Sequence, residues 1–381
     1  MPRGAEDPEG QAPPPGGSRR REAIRQVVVA AVGTRVLVAV ALWAGTYFPR
    51  ADHVYRGVAA DGHPYMYSPW RLLDALARWD TEFYLRIAAQ GYQAPSTLDA
   101  AFFPLYPTLL RAVSAVTRLS LVAAGALVSL VCFALAVRAV FLLLEEVAGA
   151  ERAAGATVVL LAFPGSLFLS AVYTESLFLL VTATALLAAR RRNFSVAGLA
   201  AALAVLTRPN GALVAIPVAL EAVAALRRRE RIFPGALALV LPGVALLVHA
   251  SHLGRVYGDP LAFVHVQAVW GRGLAPPWKA LLAFRFDPDY YVVTLGALAA
   301  LAWAVRRQPA FLQVHGALAI LVPLCTGTLK SLPRFAGIAF PLFLTVEEWT
   351  RGRRARIAYL VVALSVLAMY AFRFGRTDGI N

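Results

Sequence analysis

The stretch from position 120 to 143, SLVAAGALVSLVCFALAVRAVFLL, decides the fold class. It contains one charged residue, Arg138, and is long enough for a helix to cross a bilayer core, which takes about 20 apolar residues. Similar runs recur along the 381-residue chain, which is 59% hydrophobic and 15% charged. This composition is too apolar for a soluble protein of this length. The sequence therefore predicts an all-α integral membrane protein.

Hydrophobicity predicts a single polytopic membrane domain over residues 23–381, with about eleven transmembrane helices. The predicted spans are 26–46, 120–143, 155–172, 175–190, 195–207, 211–226, 233–253, 288–305, 310–329, 334–349 and 356–373. Residues 1–22 are rich in Pro, Gly and charge, and we predict a disordered cytoplasmic tail there. The length of this tail and its acidic residues argue against a cleaved signal peptide.

The net charge of +15 comes from arginine clusters at the ends of apolar segments, not from basic residues interleaved with aromatic ones. This pattern follows the positive-inside rule of membrane proteins and does not favour nucleic-acid binding. The clusters, all predicted to be cytoplasmic, are 19–21, 190–193, 227–231, 306–307 and 351–356. The count of crossings then requires 103–118, with its two prolines and two arginines, to be interfacial or re-entrant. Residues 47–119 become one long outer loop.

The remaining polar motifs all fall on the outer face in this topology. They are RWDTEF in the long loop, YTE at 173–175, TRPNG at 207–211, the loop 254–287 and SLPRF at 331–335. Their convergence on one side predicts a site at the outer membrane surface.

Asp80 and Glu82 are the carboxylates of the long loop. A carboxylate beside aromatic rings at a membrane surface can act as a general base, because partial burial raises its pKa toward the working range. Asp is also a common helix N-cap residue, and Asp80 precedes a helix-like segment with Phe83, Tyr84 and Ile87 on one face. The residues alone favour the cap, and the two roles are compatible.

Arg208 and Arg334 each stand beside a proline where an apolar span meets the outer face. A guanidinium there matches the geometry of a lipid-linked phosphate. It can equally reach lipid headgroups or pair with Glu175, and Arg78 has the same two interpretations.

The aromatic residues Trp79, Tyr84 and Tyr106 fit an interfacial belt and can also stack on a sugar ring. There is no glycine-rich phosphate loop and no nucleotide-binding fingerprint, so a soluble nucleotide donor is not supported. The two cysteines lie in apolar segments, and His265 has no second ligand at metal spacing, so no metal site is predicted.

Five ordered motifs resemble the bacterial members of the GPI mannosyltransferase 2 (PIG-V-like) family, over about residues 35–350. They are RWDTEFYLRIAAQGY (78–92), AFFPLYPTLLR (101–111), FPGSLFLSAVYTESLFLL (163–180), LTRPNGALV (206–214) and SLPRFAGIAFPLF (331–343). This family is similar to the GT-C class of multi-spanning glycosyltransferases. Relatives often have Trp or His at the third position after the Asp, where this chain has Phe83, so a hydrogen bond from that position is lost.

The resemblance implies an inverting transfer of mannose from polyprenyl-phosphate-mannose to a lipid or glycan acceptor, at the outer face of a bacterial plasma membrane. It implies no metal, no other cofactor and no nucleic acid. The implied site consists of catalytic Asp80 and Glu82, the donor phosphate ligands Arg208, Arg334 and Arg78, and the substrate contacts Trp79, Tyr84, Tyr106, Glu175 and Asn210.

Two alternatives remain open. The same fold could use another polyprenyl-phosphate sugar, because no residue of the sequence is specific for mannose. The chain could also be a transporter or lipid flippase. Transporters tend to have inverted repeats and ionisable groups at mid-membrane, whereas this sequence has no obvious repeat and almost no acids in its spans.

Overall fold

The computed structural model describes residues 15–50, 53–283 and 288–378. The described chain is 74% helical, with almost no strand. Its α-helices are α1 Pro15–Gly45, α2 Arg71–Ala75, α3 Thr81–Gln90, α4 Leu105–Thr117, α5 Leu121–Ala148, α6 Ala150–Ala162, α7 Glu175–Arg190, α8 Phe194–Thr207, α9 Ala215–Arg227, α10 Leu241–Tyr257, α11 Ala262–His265, α12 Trp278–Leu282, α13 Pro288–Ala304, α14 Ala310–Leu324, α15 Leu332–Ala336, α16 Leu342–Trp349 and α17 Arg353–Gly375. Short 3-10 segments cover Thr97–Ala101, Pro164–Leu169, Pro209–Val214, Gly235–Val240 and Val266–Trp270. Strands β1 Gly57–Val58 and β2 Pro64–Tyr65 pair antiparallel, with Gly57 opposite Tyr65.

Helix α7 forms the centre of the bundle. It packs against α5 on one side and α8 on another, and most of its side chains are buried. A helix that is apolar all round belongs in such an interior position. Because α7 begins at Glu175, the polar start of the most buried helix lies at one end of the bundle.

Five helical stretches among the described residues are long and apolar enough to cross a membrane: 17–45, 121–148, 209–227, 235–257 and 353–375. Helix α5 alone has 28 residues, which corresponds to about 42 Å. Val29, Leu247 and Val362 expose large apolar surface on α1, α10 and α17, as expected of lipid-facing positions. The predicted number of eleven spans stays a prediction, since the other apolar helices are shorter.

Several element boundaries differ from the sequence prediction. Helix α1 already begins at Pro15, inside the predicted disordered tail 1–22, and residues 1–14 of that tail lie outside the described residues. The predicted span 155–172 is interrupted, because α6 ends at Ala162 and a 3-10 segment starts at Pro164, whose ring and missing N–H do not suit a continuing helix. The predicted span 334–349 is likewise divided between α15 and α16.

The predicted interfacial segment 103–118 forms the short helix α4. Its 13 residues correspond to about 20 Å, too short to cross a bilayer core. Tyr106, Pro107 and Leu110 form its buried face. The Tyr106 hydroxyl lies 2.8 Å from Ser129 Oγ and donates to the Gly125 carbonyl at 3.1 Å, which fixes α4 against the start of α5.

The interrupted segment after α6 is held by Arg35 of α1. Its guanidinium donates to the Ser166 carbonyl at 2.7 Å and to the Ser170 hydroxyl at 2.8 Å, and lies 4.8 Å from the Phe133 ring centroid. No carboxylate of the described residues lies within salt-bridge distance of Arg35. These bonds satisfy backbone groups that a broken helix leaves free. They also fix the chain just before Tyr173 and Glu175.

The long loop between α1 and α4 is folded against the bundle by Asp74. One oxygen of its carboxylate accepts hydrogen bonds from the backbone N–H groups of Met66, Tyr67 and Ser68, at 3.0, 2.7 and 3.1 Å. The other oxygen lies 2.9 Å from a guanidinium nitrogen of Arg78. The backbone N–H of Val172 donates to the Leu76 carbonyl at 2.9 Å, which ties the loop to the bundle.

Helices α1 and α17 approach closely through two glycines. A Cβ on Gly375 would lie 2.2 Å from the Leu42 carbonyl oxygen, and a Cβ on Gly45 would lie 2.2 Å from the Phe372 carbonyl oxygen. No ordinary side chain fits at either place without moving the backbone. Helices α1 and α17 are therefore joined by a contact that only glycine permits.

We predict that Gly375→Ala lowers the free energy of unfolding by about 1–3 kcal/mol, because the methyl group overpacks the α1–α17 contact. The matched control is Gly296→Ala in α13, where a Cβ meets no atom within 4 Å. Alanine there gains up to about 1 kcal/mol of helix propensity. Thermal unfolding in detergent compares the two variants, and equal midpoints would contradict the close contact.

Candidate active site

Four charged side chains from distant parts of the sequence form one connected cluster at the end of the bundle where α7 begins. Arg334 places Nη1 2.7 Å from Asp80 Oδ2 and Nε 2.7 Å from Glu175 Oε1. Arg208 Nη2 donates to the same Glu175 oxygen at 2.7 Å. Glu175 is 1% exposed, so both arginines meet it away from water.

The turn before α3 presents Asp80 to this cluster. Trp79 has a positive φ of 50°, an uncommon conformation for a bulky residue and one that is often found at functional sites. Asp80 occupies the first position before α3, but its side chain makes no capping hydrogen bond. The capping interpretation is thus not observed, and the carboxylate binds Arg334 instead. The Tyr173 hydroxyl lies 3.2 Å from the Asp80 backbone N–H and accepts from it.

Asp80 keeps one carboxylate oxygen available. Oδ2 binds Arg334, whereas no hydrogen bond from the described residues reaches Oδ1. The side chain is 24% exposed, in contrast to the buried Glu175. Asp80 is therefore the carboxylate of this cluster that a substrate can reach.

Local sequence explains why the other three residues sit at helix ends. Glu175 is the first residue of α7, where the helix dipole favours an acid. Arg208 follows the end of α8 and precedes Pro209, and its extended backbone is the conformation that a following proline imposes. Arg334 follows Pro333 in the first turn of α15. Gly165 makes this arrangement possible, because a Cβ there would lie 2.3 Å from the Pro333 carbonyl oxygen.

A third arginine, Arg272, adjoins the cluster and was missed in the sequence analysis. Its Nη2 donates to the Ser331 hydroxyl at 3.2 Å. The backbone N–H of the next residue, Gly273, donates to the Thr326 carbonyl at 3.1 Å, so two bonds tie this loop to the segment before α15. Burial, and next the neighbouring Arg334, lower the pKa of Arg272 to about 10, so the side chain remains charged at neutral pH. The only sequence signal was its place in the outer loop 254–287, beside glycines and prolines.

The three guanidinium groups surround the ring of Phe335. Their central carbons lie 5.6 Å (Arg208), 6.0 Å (Arg272) and 5.7 Å (Arg334) from its centroid. Three positive and two negative charges leave one net positive charge in the cluster. Nη1 of Arg208 is buried and has no hydrogen-bond partner among the described residues. A positive site with an unsatisfied donor suits an anion, and guanidinium groups match phosphate geometry.

Two predicted site residues are bound elsewhere. The guanidinium of Arg78 is buried, pairs with Asp74 and donates to the carbonyls of Asp74 and Ala77, so it stabilises the long loop. The carboxylate of Glu82 lies 3.5 Å from Arg56 and 3.6 Å from Arg86, on the solvent side of α3. Neither residue makes a bond to the cluster of Asp80, Glu175, Arg208 and Arg334.

The predicted substrate contacts have mixed positions. Tyr84 and Tyr106 are buried and therefore do not face a ligand. The Tyr84 hydroxyl lies 3.4 Å from Thr174 Oγ1, next to Glu175 in the sequence. Burial, and next the Asp80 carboxylate, raise the pKa of Tyr84, which keeps its hydroxyl protonated. Trp79 is half-buried and meets the His53 ring edge to face at 5.6 Å. Asn210 lines a small cavity together with Phe178 and Phe335.

The cluster contains no arrangement of metal ligands. Within residues 15–50, 53–283 and 288–378, no three His, Cys, Asp or Glu side chains are grouped so that they could hold a metal ion. The site's charged groups are instead two carboxylates and three guanidiniums.

Comparison with known families identifies the chain. The family model "Mannosyltransferase (PIG-V)" matches residues 27–278, about two-thirds of the sequence. The protein belongs to the PIG-V mannosyltransferase family. This confirms the family resemblance drawn from the motifs. Four of the five motifs, with Asp80, Glu175 and Arg208, lie inside the matched range, and the motif at 331–343, with Arg334, lies outside it. A search of curated protein sequences found no match.

The fold of this PIG-V family member is similar to that of the oligosaccharyltransferase AglB from Archaeoglobus fulgidus. The apo form of AglB matches with a TM-score of 0.54 at 15% identity, over 94% of this chain and 56% of AglB. AglB in complex with an inhibitory peptide and a dolichol-phosphate matches with a TM-score of 0.52 at 15% identity, over 95% and 56%. The likeness shows a GT-C fold. The long apolar helices of this chain, together with these membrane-enzyme neighbours, indicate an integral membrane protein. The chain spans just over half the length of AglB.

We predict that Glu175→Gln lowers the free energy of unfolding by about 3–5 kcal/mol, because it leaves Arg208 and Arg334 buried without their shared counter-charge. Glu82→Gln is the matched control. Its ion pairs are half-exposed and should contribute less than about 1 kcal/mol. Chemical denaturation of both variants in detergent measures the difference. Similar losses for the two substitutions would show that the buried pairs do not stabilise the fold.

Proposed function

We propose that the protein transfers a mannosyl residue from polyprenyl-phosphate-mannose to a lipid or glycan acceptor, with inversion at the anomeric carbon. The observation that carries the proposal is the Asp80 carboxylate, which keeps one oxygen open beside three arginines. A base next to a phosphate-binding site is what displacement of a sugar from a lipid phosphate requires.

Asp80 is the proposed general base. Its Oδ1 accepts the proton of the acceptor hydroxyl as the hydroxyl oxygen forms a bond to C1 of mannose. The C1–O bond to the phosphate breaks at the same time, and its electron pair stays on the phosphate oxygen. A single displacement of this kind inverts C1. Arg334 holds the other Asp80 oxygen and so orients the base.

The three arginines are the proposed ligands of the donor phosphate. The donor phosphodiester carries one negative charge, whereas the released phosphate monoester carries about 1.5 to 2 at neutral pH. Fixed guanidinium groups therefore stabilise the departing group more strongly than the bound donor, which lowers the barrier. Glu175 orients Arg208 and Arg334 by pairing with both.

We place this site at the outer face of the plasma membrane. Helix α7 starts at Glu175 in the cluster and ends at Arg190, next to the basic run 190–192. Basic loops stay in the cytoplasm, so the opposite end of the helix faces outward. A lipid-borne donor suits that location because nucleotide sugars are absent there. The solved complex of AglB with a dolichol-phosphate supports a polyprenyl-phosphate ligand for this fold.

The Asp80→Asn variant should lose about 100-fold to 10,000-fold in kcat, the usual contribution of general base catalysis, because the amide cannot take the acceptor proton. Protein reconstituted in lipid is assayed with polyprenyl-phosphate-[14C]mannose and a membrane lipid extract. Glu82→Gln, two residues after Asp80 but bound away from the cluster, should retain activity. Undiminished transfer by Asp80→Asn at matched expression would rule out Asp80 as the base.

The same assay identifies the sugar that is transferred and the acceptor that receives it. Label should move to a lipid or glycan product, whose structure gives the acceptor and the configuration at C1. Polyprenyl-phosphate-glucose serves as the competing donor, and its preferential use would replace mannose in the proposal.

Arg272→Gln should lower kcat/KM for the donor by about 10-fold to 100-fold, since a hydrogen bond to a charged group contributes about 1.5–3 kcal/mol. Arg255→Gln is the control, because Arg255 is an exposed arginine of neighbouring sequence at the end of α10. The acceptor KM should stay constant in both variants. An Arg272→Gln enzyme with unchanged donor kinetics would place the phosphate away from Phe335.

A further inference from the structure

An apolar stripe lies on the outside of the segment that carries Arg272. It consists of Leu274, which is fully exposed, and of Trp278 and Leu282, which are 60% and 65% exposed. Trp278 and Leu282 are four residues apart in α12 and share one helix face, whereas Ala280 between them is fully buried. Large apolar side chains that are grouped in this way are rarely left in water, so the stripe is expected to have a partner.

The backbone beneath the stripe is fixed. The N–H of Gly273 donates to the Thr326 carbonyl at 3.1 Å, and the N–H of Ala275 donates to the Cys325 carbonyl at 2.9 Å. Both neighbours of Leu274 are thus bound to the chain that follows α14. The fold itself therefore holds this leucine at the surface.

The same short segment faces in two directions. Arg272 donates to the Ser331 hydroxyl at 3.2 Å and lies 6.0 Å from the centroid of the Phe335 ring. Leu274, two residues later, faces outward. The segment therefore joins the arginine group of the candidate site to the outer surface of the bundle.

The composition of the segment fits a lipid surface. Residues 260–283 contain no Asp or Glu, and Lys279 is exposed next to Trp278. A Trp beside a Lys is typical of the boundary between lipid headgroups and acyl chains, where the ring is buried and the ammonium reaches the phosphates. A basic and apolar surface without acids also complements the negative charge of lipid phosphates.

The neighbouring helix extends the same surface. Ala280 of α12 belongs to the same buried apolar cluster as Ala297 of α13, so the two helices are packed together. Helix α13 in turn exposes Val292 and Leu295, which are apolar as expected of lipid-facing positions. The stripe is thus continuous with a helix surface that the bilayer covers.

We propose that the segment 273–282 is seated in a lipid leaflet, at the end of the bundle that holds Asp80. Leu274, Trp278 and Leu282 lie among the first acyl carbons, and Lys279 lies at the lipid phosphates. Arg272 is thereby held at headgroup depth, where the phosphate of a membrane lipid lies. The seating does not depend on the transferase chemistry, and only its use for a donor phosphate rests on the proposed function.

Tryptophan fluorescence of the full-length protein in lipid nanodiscs tests this position. The emission of Trp278 is obtained as the difference between the native protein and Trp278→Phe. Phosphatidylcholine with brominated acyl chains should reduce this difference emission by about 2-fold or more, because bromine quenches a ring that is buried at the boundary between headgroups and acyl chains. Iodide in the buffer should leave the emission unchanged.

A second variant tests the role of the stripe. Leu274→Asp should weaken the quenching of Trp278 by brominated lipid about 2-fold or more, because a carboxylate is costly among acyl chains and draws the segment toward water. Val54→Asp is the matched control, since Val54 is a strongly exposed valine of the long loop between α1 and α4. It should leave the quenching unchanged. The measurement on the native protein needs no disruptive substitution and decides the proposal even where Leu274→Asp does not fold.

Three results would overturn the proposal. Quenching of Trp278 by iodide and not by brominated lipid would place the segment in water. Quenching by neither reagent would show that protein, such as a second copy of the chain, covers the stripe. Loss of the bromine quenching on addition of polyprenyl phosphate would make the tail of that lipid the occupant in place of the leaflet. No transferase assay enters the test, so its failure is separate from a failure of the proposed reaction.

Discussion

The Glu175 carboxylate, shared by Arg208 and Arg334, is the interaction on which the site depends. A buried carboxylate is costly without partners, and two buried guanidiniums are costly without a counter-charge. Together they satisfy one another at the point where α7, the end of α8 and α15 meet. Asp80 joins from the long loop through Arg334. The cluster thereby connects four segments that are far apart in the sequence.

Interrupted helices make that meeting possible. Pro164, Pro209 and Pro333 each open a short segment at the polar end of the bundle, so helices stop short and expose backbone groups that continuous helices would hide. Irregular backbone within a membrane protein is tolerated where protein surrounds it. Arg35 supplies part of that surrounding by binding the Ser166 carbonyl. Gly165 also allows its segment to lie against Pro333.

The two ends of the bundle use arginine differently. At the Asp80 end, Arg208 and Arg334 are buried and paired with acids, and together with Arg272 they lie around one aromatic ring, which favours recognition of a phosphate. At the opposite end several are in half-exposed pairs, such as Arg191 with Glu146 and Arg192 with Glu230, which contribute less to stability. Arg307, at the same end, places its guanidinium over the Trp303 ring.

The sequence by itself determined the membrane class, the helical fold and most residues of the cluster, because long apolar runs and punctuating prolines act locally. Asp80, Glu175, Arg208 and Arg334 were predicted for the site, and the structure brings them together. Only the tertiary structure decided which charges pair. Arg334 binds Asp80, 254 residues away in the sequence, Tyr84 and Tyr106 are buried, and Arg272 comes from a loop without any motif. Partner choice depends on three-dimensional proximity and burial, which no local pattern encodes.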